Sequence, residues 1–360
     1  MSKSINWGFL GTGYAANKFA EGLRFLPDAQ LLAVSSRTLS NAQEFACQFN
    51  IPHTYTSYED LVKNKDIDVV YVATPHIRHK DDCILCLEAG KAVLCEKPFT
   101  LNASQAREVI ALAHQKQLFC MEAMWTRFIP IIQKVQHLIN SGVIGEIRIL
   151  TADFGMPTEF NQNNRFFNPE LGGGSLLDRG VYPLSLAFQL LGSPSSIVSQ
   201  PSMGDTGVDE QSAIILGYPQ GQLAILYASL RTRTTNEVII IGTEGQIKIH
   251  APIYSPSKLS ITKFPGSTSA TNSLTFKRRL LKSTKKIPLL RRLYFRFNNE
   301  SINIKQPFQG NGYNYEAAEV MSCLRNSELE SKIMPLEQTL SIMETMDTIR
   351  QQWKFKYPGE

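Results

Sequence analysis

The most informative absences in this 360-residue sequence concern long apolar runs, a cysteine framework and, locally, acidic residues. No run approaches the roughly 18–20 apolar residues that span a bilayer, which excludes a membrane-spanning helix. Six cysteines occur without a regular framework, which favours a reducing compartment over a disulfide scaffold. The first residues lead directly into an apolar strand, so we expect no cleavable secretory signal and a cytoplasmic protein. There is no low-complexity tract and no internal repeat.

Acidic residues are absent between Gly245 and Asn299, and basic residues crowd part of that stretch. Nine cations fall within 277–296, and without them the net charge of +5 would be negative. Apolar residues interleave with them, and Pro288 divides 276–297, which favours two short amphipathic helices over one long helix. Such an insertion could contact an anionic membrane or an acidic partner, or it could be a solvated loop that covers apolar surface. Nothing in the sequence resembles a module that reads nucleic-acid sequence.

Two small clusters of metal-ligating residue types occur close together. Cys83 and Cys86 form a CxxC pair, but the surrounding pattern is helical and no second pair completes a zinc site. We interpret both thiols as core packing, with redox or metal chemistry as the alternative. His76 and His79 precede Asp81 and Asp82 in what we interpret as a polar loop. The sequence therefore predicts no metal site.

The order of predicted elements indicates two domains. Strands alternate with helices over about 120 residues, which predicts an α/β Rossmann domain over 1–125 with a doubly wound parallel sheet. Strand-like stretches without regular intervening helices then follow, interrupted by one helix over 176–191. They predict an α+β substrate-binding domain over 126–360, built on a mostly antiparallel open sheet. The first strand is expected at 5–10, and Ser40 is the expected N-cap of the second helix.

A glycine turn follows the first predicted strand and begins a helix. Gly11, Gly13 and Ala16 fit the pattern G-x-G-x-x-G/A, in which glycine lets the backbone approach a dinucleotide pyrophosphate at a helix N-terminus. The cofactor contacts expected here also include the residues between and after the glycines, Thr12, Tyr14 and Ala15. A structural glycine turn is the alternative.

The end of the second predicted strand bears on the choice of dinucleotide. NAD sites usually place an acid there for the ribose 2′-hydroxyl, whereas this chain has Ser36 and Arg37. A guanidinium suits phosphate oxygens, so Arg37 could pair with a 2′-phosphate while Ser36 or Thr38 donates a hydrogen bond. The sequence therefore favours NADP over NAD, and a surface arginine without a ligand is the alternative.

Several motifs in one order resemble the Gfo/Idh/MocA oxidoreductase family and, within it, the NADP-dependent dihydrodiol and D-xylose dehydrogenases. Besides the glycine turn, the motifs are Ala73-Thr74-Pro75 with His79, Glu96-Lys97-Pro98, Met121-Glu122-Ala123-Met124-Trp125-Thr126-Arg127-Phe128 and Gly172-Gly173-Gly174-Ser175-Leu176-Leu177-Asp178-Arg179-Gly180-Val181-Tyr182. The resemblance spans nearly the whole chain. It also implies a homodimer, because members of this family bury one sheet face between subunits.

The resemblance implies roles for individual residues. It places Lys97 beside the nicotinamide, with a cis peptide bond to Pro98, and makes Asp178 the group that orients the substrate or the nicotinamide ribose. At the position of Tyr182 many members carry His, whereas dihydrodiol and xylose dehydrogenases carry Tyr. Three further residues would flank the cofactor: Thr74, His79 and Glu96. The substrate or nicotinamide pocket would be lined by Trp125, Arg127 and Phe154; Trp125 could equally pack at a hinge between the domains.

The chemistry of these residue types agrees with a dehydrogenase. An ammonium group at Lys97 would stabilise developing alkoxide charge, and the phenol of Tyr182 could take the hydroxyl proton as hydride leaves. Asp178 and Tyr182 are expected at positions i and i+4 at the start of a helix, so they share one face. We therefore predict an NADP-dependent dehydrogenase that acts on C1 of a cyclic aldose or on a trans-dihydrodiol. The alternatives are a non-enzymatic NADP-binding regulator and a peripheral-membrane oxidoreductase acting on a glycan or lipid-linked sugar.

Overall fold

The first sheet consists of six parallel strands. The computed structural model describes residues 3–264 and 301–360. The strands lie in the order β3-β2-β1-β4-β5-β6. Their bounds are β1 Ile5–Leu10, β2 Ala29–Ser35, β3 His53–Tyr55, β4 Val69–Val72, β5 Ala92–Glu96 and β6 Cys120–Ala123. Every residue of β4, β5 and β6 is buried, as expected where helices cover both faces of a parallel sheet.

Five helices connect these strands and cover the sheet. They are α1 Tyr14–Leu23, α2 Leu39–Phe49, α3 Tyr58–Val62, α4 His79–Glu88 and α5 Ala103–Lys116. Asn102 caps α5 by accepting a hydrogen bond from the Gln105 amide. The expectation that Ser40 caps α2 is wrong, because the helix begins at Leu39 and Thr38 is the extended residue that precedes it.

The second sheet has eight strands in the order β14-β13-β12-β11-β7-β10-β9-β8. All of its neighbouring pairs are antiparallel except β7 with β10. This confirms the predicted combination of a parallel sheet with a mostly antiparallel one. The strands are β7 Ile147–Gly155, β8 Ser196–Met203, β9 Asp209–Gly217, β10 Leu223–Ser229, β11 Val238–Gly242, β12 Gly245–Ile249, β13 Lys258–Lys263 and β14 Ser301–Lys305.

The two faces of this second sheet differ in what covers them. Ala224 and Leu226 point inward and are buried under helix α7, Val181–Leu191. The opposite face, here called the outer face, carries exposed apolar side chains on three adjacent strands. Cross-strand pairing aligns some of them in one row (Val198 with Ile215, and Ile215 with Ile225). The full set is Val198, Ile215, Leu223, Ile225 and Tyr227.

The last two helices return to the first sheet. Helix α6, Pro130–Asn140, precedes the second sheet, whereas α8, Tyr313–Arg325, and α9, Leu336–Gln352, follow it. Helix α8 packs on α1, and α9 packs on α5. Consequently the last two helices pack against helices of the first sheet, and α9 also contacts β8 of the second sheet.

No helix in the described ranges, 3–264 and 301–360, is long and apolar enough to cross a membrane. The predicted amphipathic helices of the basic insertion, 276–297, lie outside the described residues. The chain enters that insertion after β13 and leaves it before β14, the edge strand that pairs with β13.

Candidate active site

The loops at the carboxyl ends of β1, β4 and β5 form one edge of the parallel sheet. These three strands are consecutive neighbours, so the residues that follow them are arranged in order along that edge. Gly11 follows β1, Thr74 follows β4 and Lys97 follows β5. This edge is where open α/β sheets bind their ligands.

The glycine turn is shaped for close approach of a ligand. Gly11 has φ +98°, and a Cβ atom there would lie 2.6 Å from the carbonyl oxygen of Ala73. Gly13 precedes α1, and a Cβ atom at Gly13 would meet nothing within 4 Å. The first turn of α1 has no acidic residue and no side-chain cap, so its amide groups remain available to an anion. Tyr14 and Ala15 begin that helix.

The polar residues after β2 lie next to this turn. The hydroxyl of Thr12 lies 3.5 Å from that of Ser36, which is buried. Arg37 follows Ser36 and is exposed to solvent. The turn and this serine–arginine pair therefore follow the neighbouring strands β1 and β2, and Lys97 lies two strands from the turn.

His79 joins the ends of β4 and β5. Its Nδ1 lies 2.8 Å from the Pro98 carbonyl oxygen and its Nε2 lies 2.9 Å from that of Thr74. Burial lowers the pKa of His79 below its usual value. The Lys97–Pro98 peptide bond is cis, as the resemblance implied. His79 thus ties the segment after β4 to Pro98, the residue that follows Lys97.

Glu96 ends β5 inside the protein. Its carboxylate accepts hydrogen bonds from the Tyr71 hydroxyl and, at 3.2 Å, from the Lys97 amide. Burial raises the pKa of Glu96, and the Tyr71 hydroxyl acts in the opposite direction. The side chain is therefore anchored below the sheet edge rather than free to move.

Lys97 reaches across to the second domain. Its Nζ donates to the Asp178 carbonyl oxygen at 2.9 Å and lies 3.4 Å from Asp178 Oδ1. The same atom lies 4.8 Å from the centroid of the Tyr182 ring. Burial acts to lower the pKa of Lys97, but the Asp178 carboxylate and Tyr182 outweigh it, so the pKa is raised. Lys97 is therefore an ammonium cation beside the phenol.

Asp178 carries a carboxylate shared by three cations. Oδ1 accepts a hydrogen bond from Arg165 Nη1 at 2.9 Å as well as the contact with Lys97, and Oδ2 accepts one from Arg179 Nε at 2.7 Å. Burial acts to raise the pKa of Asp178, but these three cations outweigh it and hold the pKa well below its usual range. The two arginines were not predicted from the sequence. Arg179 could have been noticed beside Asp178, whereas no sequence pattern connects Arg165 to it.

The helix that carries Asp178 and Tyr182 is not regular at its start. A π-helical turn, Leu176–Gly180, precedes α7, so the expected i, i+4 geometry of an α-helix is interrupted. The Tyr182 hydroxyl accepts a hydrogen bond from Trp125 Nε1 at 3.3 Å. Burial raises the pKa of Tyr182, and the Lys97 ammonium acts to lower it. Both side chains nevertheless contact Lys97.

Aromatic rings surround the phenol. Phe154 meets the Tyr182 ring edge-on at 5.2 Å between centroids, and Trp125 stacks on Tyr313 at 4.6 Å. Tyr313 belongs to α8 and was not predicted. On the same helix Glu316 is fully buried, neither of its carboxyl oxygens has a hydrogen-bond partner among the described residues, and burial raises its pKa well above the usual range.

Arg127 lies in the 3₁₀ turn Trp125–Phe128 and is buried. Its guanidinium donates to the hydroxyl and the carbonyl oxygen of Ser185, to the Ile333 carbonyl oxygen at 3.1 Å and to the Gln338 side chain. Arg127 therefore ties this turn to α7 and to the segment before α9. Its assignment to the substrate pocket stays a prediction.

The glycine run before Asp178 is held by residues that the sequence analysis missed. Asp209 accepts hydrogen bonds from the Ser175 hydroxyl and the Leu176 amide, both at 2.7 Å. Tyr357 donates from its hydroxyl to the Gly173 carbonyl oxygen at 2.5 Å. Gly174 has φ +120°, and a Cβ atom there would lie 2.3 Å from Asp209 Oδ1. Burial raises the pKa of Asp209 to about 7.

The cysteine and histidine clusters have structural contacts. Cys83 and Cys86 are buried in α4, and burial raises the pKa of both thiols well above the usual value. His76 contacts the Gly172 carbonyl oxygen at 3.0 Å through Nδ1. Within the two described ranges, no group of three or more His, Cys, Asp or Glu side chains is placed to hold a metal ion.

Comparison with family models gives two adjacent matches. Residues 5–124 match the GFO_IDH_MocA model, described as "Oxidoreductase family, NAD-binding Rossmann fold". Residues 132–248 match the GFO/IDH/MocA C-terminal domain. The two matched ranges cover the whole first sheet and the second sheet from β7 into β12.

Curated relatives align over almost the full chain. A trans-1,2-dihydrobenzene-1,2-diol dehydrogenase of Xenopus laevis is 36% identical, over 99% of this chain and 100% of its own. The Bos taurus enzyme of the same name is 33% identical, over 99% of each chain. A D-xylose 1-dehydrogenase (NADP(+)) of Hypocrea jecorina is also 33% identical, over 99% of this chain and 93% of its own.

Solved structures share the fold at lower sequence identity. A 3-ketoreductase from Actinomadura kijaniata, in complex with NADP and TDP-benzene, superposes with a TM-score of 0.81 at 23% identity, over 97% of this chain and 98% of that one. An aldose-aldose oxidoreductase from Caulobacter crescentus gives a TM-score of 0.81 at 21% identity, over 98% of each chain. These similarities show that the two-sheet architecture is shared.

Proposed function

The chain belongs to the Gfo/Idh/MocA oxidoreductase family, and from that premise we propose that it is an NADP-dependent dehydrogenase. It transfers hydride from C1 of a cyclic aldose, or from a hydroxyl-bearing carbon of a trans-dihydrodiol, to NADP. The relatives named for these two reactions align over nearly all of this chain. The observation that carries the proposal is the contact of Lys97 with both Asp178 and Tyr182.

The three side chains divide the work on the reacting hydroxyl. Tyr182 takes the proton from the hydroxyl group, and the Lys97 ammonium stabilises the phenolate and the developing alkoxide. Asp178 holds Lys97 in position through its carbonyl oxygen and its carboxylate. Trp125 donates to the Tyr182 hydroxyl, which leaves the phenolic proton to be exchanged with substrate.

The residues that follow β1 and β2 fit a bound dinucleotide. The space at Gly13 and the uncapped start of α1 suit a pyrophosphate, whose charge the helix amides stabilise. The chemistry that NADP supplies when bound is acceptance of the hydride. Ser36 and Arg37 follow β2 where NAD sites usually carry an acid, so they suit a 2′-phosphate.

We expect Arg37→Ala to weaken NADP⁺ binding about tenfold or more and to leave NAD⁺ binding unchanged, as measured by titration calorimetry.

A substrate panel tests the proposed reaction. Purified protein with NADP⁺ is assayed for NADPH formation against D-xylose, other aldoses and a trans-dihydrodiol. Turnover of an aldose or of the diol selects the substrate class. Demonstrable NADP⁺ binding without turnover of any of these compounds would contradict the proposal and favour a non-enzymatic regulator.

The same proposal includes a homodimer formed through the outer face of the second sheet. Five exposed apolar side chains form a continuous surface on β8, β9 and β10 there. A second copy of this chain would cover that surface and remove it from water. The free state of all six cysteines suits a cytoplasmic setting.

The basic insertion supports one further contact. Its nine cations, without any acidic residue between Gly245 and Asn299, suit an anionic membrane or an acidic partner. Sedimentation with vesicles that contain phosphatidylserine tests the membrane contact. Binding that is lost on deletion of 277–296 supports a peripheral-membrane enzyme, and absence of binding removes that contact.

A further inference from the structure

The site carries more positive charge than its own carboxylate balances. Lys97, Arg165 and Arg179 surround Asp178, and we call these three cations the cationic cluster. His76 also faces Asp178, but burial lowers its pKa well below the usual value, so it is neutral. Glu96 is a second carboxyl group near Lys97 and accepts a hydrogen bond from Tyr71, so three cations face two carboxyl groups and remain in excess.

Arg179 contacts both Phe154, which packs on the catalytic phenol, and Phe166, on which Arg165 stacks. The Arg179 guanidinium carbon lies 4.9 Å from the centroid of the Phe154 ring, and Phe154 packs edge-on against Tyr182. Arg165 stacks on Phe166 at 4.0 Å, and Arg179 lies 5.4 Å from the same ring. The rings therefore hold two planar guanidinium groups next to the place where a substrate must meet Tyr182.

The arginines keep hydrogen-bonding capacity for a further partner. Arg165 uses only Nη1, toward Asp178, among the described residues, and 48% of its side chain is exposed. Arg179 uses Nε toward Asp178 and Nη2 toward Thr158, at 3.3 Å. A guanidinium carries five N–H donors, so each arginine can still donate to an anionic group.

The phosphates of the cofactor do not account for these charges. The phosphate-binding turn follows β1, whereas Lys97 follows β5, two strand spacings or about 10 Å along the sheet edge. The oxidised nicotinamide ring expected on the Lys97 side itself carries a positive charge. It would add to the excess rather than offset it.

We propose that the substrate is an anionic sugar, whose carboxylate or phosphate binds Arg165 and Arg179 while its reacting hydroxyl meets Tyr182 and Lys97. This inference rests on the proposed dehydrogenase function and specifies its substrate class. The hydride leaves the hydroxyl-bearing carbon for NADP⁺, and the hydroxyl proton passes to Tyr182. The acidic group stays unchanged and serves only for binding.

Matched sugar pairs test the inference through a specificity ratio. D-glucuronate and D-glucose 6-phosphate are each compared with D-glucose as substrates of the wild-type protein with NADP⁺. We expect kcat/KM for at least one anionic sugar to exceed that for D-glucose about tenfold or more. For each anionic sugar, its kcat/KM is divided by that for D-glucose. The sugar with the higher ratio shows whether the site binds a carboxylate or a phosphate. A ratio of one or below in both arms overturns the inference.

Variants at Arg179 separate recognition of the anion from a merely structural role. Arg179→Gln lowers activity with either kind of sugar if it disturbs Asp178, so the informative readout is the ratio. We expect that ratio to fall about tenfold, through KM, and Arg179→Lys to restore part of it. Arg107→Gln, at an exposed arginine paired with Glu344, is the matched control. An unchanged ratio in Arg179→Gln and in Arg165→Gln contradicts the proposal.

A binding measurement distinguishes failure of this inference from failure of the proposed function. Titration calorimetry follows D-glucuronate and D-glucose 6-phosphate binding to the protein–NADP⁺ complex. If no sugar or diol is turned over, the dehydrogenase proposal fails, and anion binding that depends on Arg179 still supports this site. If neutral sugars are turned over and neither anion binds more tightly than D-glucose, the dehydrogenase stands and this inference is wrong.

Discussion

The charge state of Lys97 is set by the side chains around it. Burial alone would favour the neutral amine, but the Asp178 carboxylate and Tyr182 together raise its pKa. The ammonium in turn acts to lower the pKa of Tyr182, which burial raises. The contact between the two side chains therefore keeps the lysine charged. It also opposes the rise in the pKa of Tyr182 that burial causes, which favours the phenolate that can accept a proton.

A pH–rate profile tests this coupling. Oxidation requires Tyr182 to be an ionised phenolate that accepts the hydroxyl proton of the substrate, so kcat/KM rises with pH as Tyr182 ionises. Lys97→Met removes the nearby cation, and we expect the rising limb to move toward higher pH and the maximal rate to fall about 100-fold or more. Lys332→Met, at an exposed lysine paired with Glu328, is the control. If the rising limb stays at the same pH in Lys97→Met, the lysine does not control the ionisation of Tyr182, and the proposed coupling is contradicted.

Sequence motifs identify some of these residues but not their partners. Lys97, Asp178 and Tyr182 occur within recognisable local motifs, and the fold brings them together. Arg165 lies in a polar stretch without periodicity, and Tyr313 lies far along the chain. Their contacts depend on how distant segments meet, which spacing along one sequence does not encode.

At the scale of elements, the two glycines of the glycine turn are required for different physical reasons. Gly11 adopts a positive φ and leaves no space for a Cβ atom beside the Ala73 carbonyl. Gly13 has open space on the side that the cofactor would occupy. The first therefore serves the fold, and the second serves the ligand.

Alanine substitutions separate these two reasons. Gly11→Ala is expected to lower the free energy of unfolding by about 1–3 kcal/mol, because alanine is strained at that φ and its Cβ atom overlaps a carbonyl oxygen. Gly13→Ala is expected to change it by less than about 0.5 kcal/mol and to weaken NADP⁺ binding about tenfold or more. Chemical denaturation and titration calorimetry measure the two effects. Equal loss of stability in both variants would contradict this distinction.

Asp209, which holds the glycine run, makes the free energy of unfolding depend on pH. Burial raises its pKa from 3.8 to about 7, so the folded protein keeps a proton that the unfolded chain releases near pH 4. The stability that this proton contributes is present below pH 4 and is lost as pH rises toward 7. Asp209→Asn removes the titration and keeps an acceptor for the Ser175 hydroxyl.

We therefore expect the free energy of unfolding of Asp209→Asn to increase relative to wild type between pH 4 and 7, by on the order of a few kcal/mol, and then to level off. Denaturant titrations at a series of pH values provide the measurement. Asp205→Asn, at an exposed carboxylate in the loop before Asp209, is the matched control. A constant difference between Asp209→Asn and wild type across this range would show that the Asp209 carboxyl does not titrate differently on folding.

Element prediction from the sequence succeeded where the pattern was strong. Continuous apolar runs identified the buried parallel strands, and alternation identified most of the second sheet. Two strands at one side of that sheet, β13 and the edge strand β14, were missed; they flank the basic insertion. The π-helical turn before α7 was also missed, since its sequence has the same apolar character as an α-helix.

At the scale of the molecule, α8 and α9 connect the end of the chain to the first sheet. Helix α8 brings Tyr313 against Trp125, and Arg350 of α9 forms ion pairs with Asp347 and the C-terminal Glu360. The order of elements predicted these helices but not where they pack. The site is therefore assembled from segments at both ends of the sequence.

The outer face of the second sheet predicts the assembly state. Ile225→Lys places a charge in the centre of the apolar surface, and we expect it to convert a dimer into a monomer. Light scattering coupled to gel filtration measures the mass, and circular dichroism verifies folding. Phe25→Lys, at an exposed apolar residue outside that face, is the matched control. A wild-type protein that is monomeric at micromolar concentration would contradict the homodimer.

The most direct test of the central claim compares wild type with Tyr182→Phe in NADPH formation, using the best substrate of the panel and saturating NADP⁺. Phenylalanine retains the aromatic packing and removes only the hydroxyl that exchanges the proton. We predict equal NADP⁺ affinity in both proteins and a fall in kcat of about 100-fold or more in Tyr182→Phe. Equal rates in the two proteins would show that Tyr182 is not the base and would contradict the mechanism proposed for this site.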